Sequence, residues 1–352
     1  MLSFPELVEM ATLWLEGPLT YLPISSCSMT QLEFEQKLDA FDAAVQATEG
    51  ISTFCSGSDW ILAANTTLHS SRAMHVWERN DHWMVSSMGE LPPFSRVLQP
   101  LEMTWAFGCP LVGGDVSTRI NLLLDVMREP HLFWQVVMLT GVPEDSVFWR
   151  DLQGRLQGYY SYEVFEGSHC IQSEIHEGAE EFLRRRSSKF RANLRRSDRQ
   201  AVTQGVEYDW ITDFSDPHHL FDRMMAVERN SWKFQSGRSI FLIGRYRAFY
   251  EALLHRLAAN GRLRLLFAQW DGQDVGYVYG GILNKVYRGF QLSYDESFSS
   301  LSLGHLVQWH MIQNLANESV ELYDLGMVMD YKKRWSDRML RLLNVVIFSP
   351  YF

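Results

Sequence analysis

The 352-residue sequence is poor in cysteine and carries no excess of positive charge. Its four cysteines lie far apart and form no Cys-x-x-Cys pair, so neither a cysteine zinc site nor a redox dithiol is indicated. We expect four unbridged thiols in a reducing compartment. The formal net charge of −10 argues against a protein that coats nucleic acid. The cysteines are Cys27, Cys55, Cys109 and Cys170.

Long apolar runs and common nucleotide signatures are also missing. No stretch approaches the ~18 uninterrupted apolar residues of a membrane-spanning helix. The first residues contain no Lys or Arg ahead of their apolar positions, and Glu6 and Glu9 interrupt them, so a secretory signal is not indicated. Neither G-x-x-x-x-G-K-[ST] nor G-x-G-x-x-G occurs, which argues against a Walker or dinucleotide site. We therefore expect a soluble, cytoplasmic protein.

The sequence is rich in hydrophobic residues, which make up 46% of it, and aromatic residues make up 13%. This content excludes a disordered chain, and the length allows two domains. Alternating helix and strand patterns predict an α/β fold with mixed β-sheets flanked by helices. We predict a helical lead-in over residues 1–50, a first domain over 51–170 and a second over 171–352. The order of elements in residues 73–165 resembles that of the second half, which indicates a tandem duplication.

The stretch from Val286 to Trp335 is the most informative. An aromatic strand pattern is followed by a serine-rich turn, a helix over residues 305–317 and a second short strand. A helix that begins after such a turn offers unpaired N–H groups and a positive dipole end to a phosphate. The alternative is an ordinary strand-helix-strand unit whose serines only cap the helix.

A basic segment precedes this stretch. The pattern predicts one helix over residues 177–203, and from Arg184 to Arg199 it holds eight Lys or Arg and one acid, a local charge of +7. One interpretation is a site for a polyanion, such as the CoA 3′-phosphate, a nucleotide-linked acceptor or an aminoacyl-tRNA backbone. The other is a solvated helix face that packs its apolar stripe on the domain.

Three segments, in this order, resemble the FemAB-like and CelD-like branch of the GNAT acyltransferase superfamily, and together they cover roughly residues 175–349. The usual pyrophosphate turn of that superfamily, Gln/Arg-x-x-Gly-x-Gly/Ala, is reduced here to Gly304 with serines before it. The segments are Ser188–Arg196, the strand end Tyr294-Asp295 with the turn closing at Leu303–Leu306, and Tyr323–Gly326 followed by Asp330–Lys332 and Trp335.

The resemblance implies two tandem GNAT-like halves and an N-acyltransferase. It would move an acyl group from a CoA-type thioester, acetyl-CoA first of all, to an amine of a small molecule or a glycan or cell-envelope precursor. Two alternatives stay open: a FemAB-like aminoacyltransferase that uses aminoacyl-tRNA, and a catalytically degenerate GNAT-fold subunit of a polysaccharide or natural-product pathway. No metal is expected, because no His, Asp or Glu cluster shows ligand spacing. A homodimer is one expectation for the assembly.

Candidate catalytic residues lie at strand ends, where ligands of α/β sheets bind. A base must take the proton of the attacking amine, and paired carboxylates can raise one pKa towards neutrality. Lys332 matches the family's Tyr-Lys element and would stabilise a phosphate or the developing negative charge. His305 is a further base candidate, with a surface or capping histidine as the alternative. The catalytic candidates are Asp295, Asp324, Asp330 and Lys332.

Binding residues follow from the turn, the basic segment and the resemblance. The Ser231-Trp232-Lys233 element is placed near the acceptor by the resemblance, and its alternative is a helix end with an anchoring Trp. The candidates for CoA are Ser302, Leu303, Gly304, His305, Leu306, Arg191 and Arg195. The candidates for the acceptor are Trp232, Lys233, Tyr294 and Tyr331.

Overall fold

The structure, a computed structural model, describes residues 29–70 and 72–351. The chain divides into two compact units, one of residues up to 169 together with residues from 340 onward, and one of residues 170–339. Most of the expected lead-in, with Cys27, lies outside the described residues. Among the helices described, none is both long and apolar enough to cross a membrane.

The first unit contains a seven-stranded sheet with helices. Its strand order is β1-β2-β3-β5-β14-β6, with β4 paired to β2, in the numbering given below. The pair β3 and β5 is parallel, and the other pairs are antiparallel. The helices are α1 Gln31–Glu35, α2 Leu38–Ala47, α3 Thr53–Ser56, α4 Ser58–Thr67, α5 Val116–Met127 and α6 Val147–Leu156. The strands are β1 Met74–Arg79, β2 His82–Leu91, β3 Phe94–Gln99, β4 Leu111–Val112, β5 Val136–Pro143, β6 Ser161–Glu166 and β14 Leu342–Phe348.

Local sequence explains the strands of this unit. The continuous apolar run of residues 132–139 contains the first half of β5, which continues through Gly141 to Pro143 and is buried at every residue. A hairpin joins β1 to β2, and its two turn residues, Asn80 and Asp81, have φ of 50° and 60°. Asn and Asp tolerate this left-handed conformation better than other side chains, so they fix the turn. The last apolar run of the chain is β14, between β5 and β6.

The second unit contains the other seven-stranded sheet, in the order β13-β7-β12-β11-β10-β9-β8. Strands β11 and β12 form a parallel pair, while β12–β7, β11–β10, β10–β9 and β9–β8 are antiparallel. The helices are α7 Ala179–Arg184, α8 Ser188–Thr203, α9 Pro217–Arg229, α10 Trp232–Gln235, α11 Gly244–Ala259, α12 Leu303–Asn317 and α13 Asp330–Lys333, with 3₁₀ turns at Ile240–Leu242 and Glu296–Leu301. The strands are β7 Cys170–Glu174, β8 Val206–Trp210, β9 Leu263–Trp270, β10 Gln273–Leu283, β11 Val286–Tyr294, β12 Leu322–Met327 and β13 Arg338–Leu340.

The predicted fold class, α/β with two mixed sheets flanked by helices, is confirmed. The prediction of one helix over residues 177–203 is wrong. Two helices, α7 and α8, occupy the segment, and the hydroxyl of Ser187 accepts a hydrogen bond from the Phe190 N–H. Serine competes for backbone N–H groups as an N-cap, so it begins a second helix where the basic periodicity suggested continuity.

Trp335 anchors the segment that follows β12. Its indole is fully buried, lies parallel to the ring of Phe182 at 6.1 Å and meets the edge of Phe190 at 4.9 Å. Buried aromatic pairs contribute roughly 0.5–1.5 kcal/mol beyond the area they bury. The N–H of Trp335 donates to the Lys332 carbonyl, so this packing fixes α13 beside the carboxyl end of β12.

Candidate active site

Strands β11 and β12 run side by side for three residue pairs and then separate. The last shared pair is Arg288 and Asp324. Beyond it, β11 continues to Tyr294 beside β10, whereas β12 continues to Met327 beside β7. The sheet therefore opens at the carboxyl ends of its parallel strands, the place where ligands of α/β sheets bind.

A buried ion pair lies where the strands separate. The Nη1 of Arg288 is 2.8 Å from Oδ1 of Asp324, and the two residues are 4% and 1% exposed. The same carboxylate oxygen accepts the Gly326 N–H at 2.8 Å. Gly326 has φ of +80°, and a side chain there would lie 3.1 Å from the Arg288 guanidinium. Asp324 therefore holds the strand ends in place, and its role as a base stays a prediction.

Lys332 lies next to this pair. Its Nζ donates to the Leu325 carbonyl at 2.7 Å. Burial, reinforced by the charge of Arg288, lowers the pKa of Lys332 to about 8, against the opposing charges of Asp324 and Cys170. An amine with this pKa exchanges its proton near neutral pH, which suits a group that supplies charge or moves a proton at a reacting centre.

The residues around Lys332 divide into two groups. The Tyr331 ring lies 5.8 Å from Nζ of Lys332, and Tyr331 is about half exposed. Asp330, in contrast, is 97% exposed and pairs with Lys333 at 2.8 Å, a contact that lowers its pKa. The structure thus brings Tyr331, Lys332 and Asp324 together, whereas the Asp330 carboxylate points to solvent.

The turn before α12 lies at the other side of the opening. Asp295 caps the 3₁₀ turn by accepting the Ser297 N–H at 2.9 Å and its hydroxyl at 2.6 Å. Ser302 has φ of 59°, and its carbonyl accepts the N–H groups of His305 at 2.9 Å and Leu306 at 3.3 Å. The N–H groups of His305 and Leu306, both among the predicted cofactor-binding residues, are thus used within the helix. Those of Leu303 and Gly304, at its first two positions, face no intrahelical acceptor.

The start of α12 packs against both sides of the opening. A side chain at Gly304 would meet the Tyr294 ring at 3.1 Å, so glycine permits this close approach to the end of β11. The His305 ring lies 5.8 Å from that of Trp335, and burial, with Arg334 nearby, lowers its pKa, which favours neutral imidazole. Because Trp335 follows Lys332 closely, the predicted cofactor turn and the predicted catalytic segment are neighbours.

Lys233 belongs to a buried network that supports β11. Its Nζ donates to the Leu292 carbonyl at 2.9 Å and lies 3.6 Å from a carboxylate oxygen of Glu228. Glu228 is fully buried and accepts hydrogen bonds from Ser239 at 2.5 Å and Tyr277 at 3.0 Å. Burial lowers the pKa of Lys233, while Glu228 opposes this shift. The neighbouring Trp232 is 43% exposed.

The two arginines predicted to bind CoA have different positions. Nη1 of Arg191 donates to the carbonyls of Arg184 at 3.0 Å and Arg186 at 2.6 Å, which satisfies the end of α7. The side chain of Arg195 is 61% exposed and lies 3.7 Å from Glu180. Arg191 is therefore engaged with the backbone, whereas Arg195 remains at the surface.

Sequence reasoning missed Arg288 and Glu228. Each is a charged residue among buried neighbours, Arg288 at the third position of β11 and Glu228 near the end of α9. A charged residue at a core position is rarely buried unless it is paired, so these interruptions were the available signal.

Comparison with known proteins agrees with this geometry. Residues 188–333 match a family model described as an acetyltransferase (GNAT) domain. No curated protein matches the chain by sequence. A structure titled FemX aligns with a TM-score of 0.63 at 11% identity, covering 87% of this chain and 95% of that chain. A conserved protein of unknown function from Bacteroides thetaiotaomicron aligns at 0.62 and 12%, covering 89% and 97%.

A third similar structure is the C-terminal domain of a proposed lysylphosphatidylglycerol synthetase from Agrobacterium fabrum, with a TM-score of 0.54 at 10% identity, covering 88% of this chain and 92% of that chain. Similarity at these identities concerns the fold, whereas the family model matches by sequence the segment that contains the separating strands. Residues 188–333 therefore match an acetyltransferase (GNAT) domain by sequence, and the chain shares its fold with the structure titled FemX, in agreement with the predicted resemblance.

Proposed function

We propose that the protein transfers an acyl group from a CoA-type thioester to an amine of a small molecule or of a glycan or cell-envelope precursor. The observation that carries this proposal is the separation of β11 from β12, with the Gly304 helix start on one side and Lys332 on the other. The acetyltransferase family model across residues 188–333 supports the reaction class. Buried thiols at Cys55, Cys109 and Cys170 fit a reducing cytoplasm.

In this reaction the two sides of the opening between β11 and β12 would have different roles. The N–H groups of Leu303 and Gly304, at the positive end of α12, would hold a phosphate oxygen of the donor. The amine nitrogen attacks the thioester carbonyl, the C–N bond forms, the C–S bond breaks and the thiol leaves with a proton. Lys332, in its charged form, would stabilise the negative charge that develops on the carbonyl oxygen. Holding donor and acceptor together between the strand ends supplies the remaining acceleration.

Aminoacyl transfer from tRNA is the second candidate. Its support is the surface of α8, where Lys189, Arg195, Arg196 and Arg199 are exposed, together with the fold shared with FemX. Exposed cations along a helix suit a polyanionic backbone. The charge of −10 on the whole chain opposes such a ligand except at this face.

A measurement of donor binding distinguishes acyl transfer from CoA and aminoacyl transfer from tRNA. We expect acetyl-CoA to bind the parent protein in calorimetry and Gly304→Asp to abolish binding, because the carboxylate would stand against the phosphates. Gly244→Asp controls for a carboxylate in a first helical turn, since Gly244 begins another long helix of this unit and has open space around it, whereas Gly304 faces the Tyr294 ring. A melting curve shows whether each variant is folded. Equal affinity of folded Gly304→Asp and parent for acetyl-CoA contradicts the proposed site, and binding of aminoacyl-tRNA alone favours the second candidate.

A further inference from the structure

Two histidines and a glutamate come together in the second unit, apart from the residues assigned to acyl transfer. His218 lies in the first turn of α9, and Glu251 and His255 lie on α11. Residues four positions apart share one face of a helix, so α11 presents both side chains in the same direction. One ligand atom from each of the three residues lies within 4.8 Å of the other two.

The side chains of His218, Glu251 and His255 point their polar atoms towards one another, as the ligands of a metal ion do. Nδ1 of His218 is 3.5 Å from Oε1 of Glu251, and the two imidazole centroids are 4.2 Å apart. Nε2 of His255 is buried and has no hydrogen-bond partner among the described residues. Buried polar nitrogens are almost always satisfied, so this one calls for a partner that the described part of the chain does not supply.

We infer that His218, Glu251 and His255 bind a divalent transition metal ion, with Zn²⁺ as the preferred ion. Two imidazoles and one carboxylate form a ligand set that zinc uses, whereas magnesium and calcium prefer oxygen ligands alone. Zinc bonds of about 2.0–2.2 Å require the ligand atoms to draw slightly closer than they stand. Rotation of the His218 side chain, which is 75% exposed, can supply that movement.

Such an ion has two consequences. It links the start of α9 to the middle of α11, which stabilises the folded unit by an amount that rises with the logarithm of the metal concentration. Three protein ligands also leave a fourth tetrahedral position for water or an external ligand. Ligand spacing in the sequence does not reveal this cluster, because Glu251 and His255 lie over thirty residues after His218.

The test is a zinc titration of the chelator-treated full chain in competition with a chromophoric chelator. We expect one Zn²⁺ per chain in the parent. His218→Ala should weaken binding by more than about 100-fold, since even outer-shell losses cost roughly 10–100-fold. His219→Ala is the matched control, because it is an exposed histidine adjacent in sequence and outside the cluster. It should bind zinc like the parent.

Two further measurements complete the test. Co²⁺ should give the visible absorption of a tetrahedral site in the parent and in His219→Ala, and this absorption should be lost in His255→Ala. Zinc should raise the melting temperature of the parent and the control, but not that of His218→Ala. Absence of zinc binding, or equal binding by the parent and His218→Ala, overturns the inference and leaves an exposed histidine–glutamate ion pair. Because His218 is largely exposed, its replacement does not threaten the fold.

Discussion

Replacement of Lys332 by methionine should make the protein more stable and less active. The side chain is partly buried beside the Arg288–Asp324 pair, and this burial lowers its pKa from an ordinary 10.5 to about 8. A pKa difference of this size corresponds to ~3 kcal/mol of unfavourable free energy for the charged amine in the folded state. Methionine keeps the length and the apolar stem of the side chain and removes the charge.

The net gain in stability at pH 7 is smaller than this penalty. The hydrogen bond from Nζ to the Leu325 carbonyl is lost, at a cost of about 1 kcal/mol. We therefore expect the free energy of unfolding to rise by about 2 kcal/mol at pH 7. The activity should fall. We expect kcat to decrease by about 10²–10³-fold and KM to change less, because the charge of Lys332 stabilises the transition state more than it stabilises the bound substrate.

The pH dependence provides a signature of the buried amine. Between about pH 8 and 10.5 the unfolded chain still carries the proton that folded Lys332 has lost, so the stability of the parent rises across this window. Below pH 8 both states are protonated and the penalty is present in full. Lys332→Met lacks the rise, so its advantage at pH 7 should disappear near pH 10.5. Denaturant titrations of both proteins at several pH values measure the difference, and other titrating groups cancel.

Lys333→Met serves as the control for this experiment. Lys333 is the adjacent lysine, its side chain is 60% exposed, and it forms an ion pair with the exposed Asp330 carboxylate. Its replacement should change neither kcat nor the free energy of unfolding by more than a few tenths of a kcal/mol. A stability difference between parent and Lys332→Met that does not vary with pH would show that the amine is not buried as described. Full activity in Lys332→Met would remove it from the site.

Two other predictions concern the flanks of the opening. Reversal of Arg195 and Arg196 to Glu should slow association of the anionic donor at low salt and flatten its salt dependence, as stopped-flow measurements can show; unchanged rates would assign α8 to a solvated face. Arg191 is left intact because it satisfies the carbonyls at the end of α7. Glu228→Gln should destabilise the fold by about 1–3 kcal/mol, since the partly buried Lys233 loses its charged partner. A melting temperature equal to that of the parent would contradict that role.

Much of the second unit could be predicted from local sequence. The Asp271-Gly272 hairpin, the aromatic strand β11 and the helix after the serine turn all follow from turn chemistry and periodicity, and each is present. The break between α7 and α8 could not, because a capping serine and a helical serine look alike until packing selects between them. The pairing of Arg288 with Asp324 depends on strand register, which relates residues far apart in sequence.

The strand register also affects the pKa of Lys332. The positive charge of Arg288 lowers the pKa of Lys332, and the negative charge of Asp324 raises it, so the two partners act on the amine in opposite directions. Arg288 alone would drive the amine towards its neutral form, and Asp324 alone would hold it as a salt bridge. Parallel pairing places the two residues side by side, so both charges act on the amine, and burial remains the largest cause of its lowered pKa. A slip of one residue in this pairing would send Arg288 and Asp324 to opposite faces of the sheet. The pairing of β11 with β12 over only three residues thus opens the sheet and also influences the pKa of Lys332, which lies in the opening.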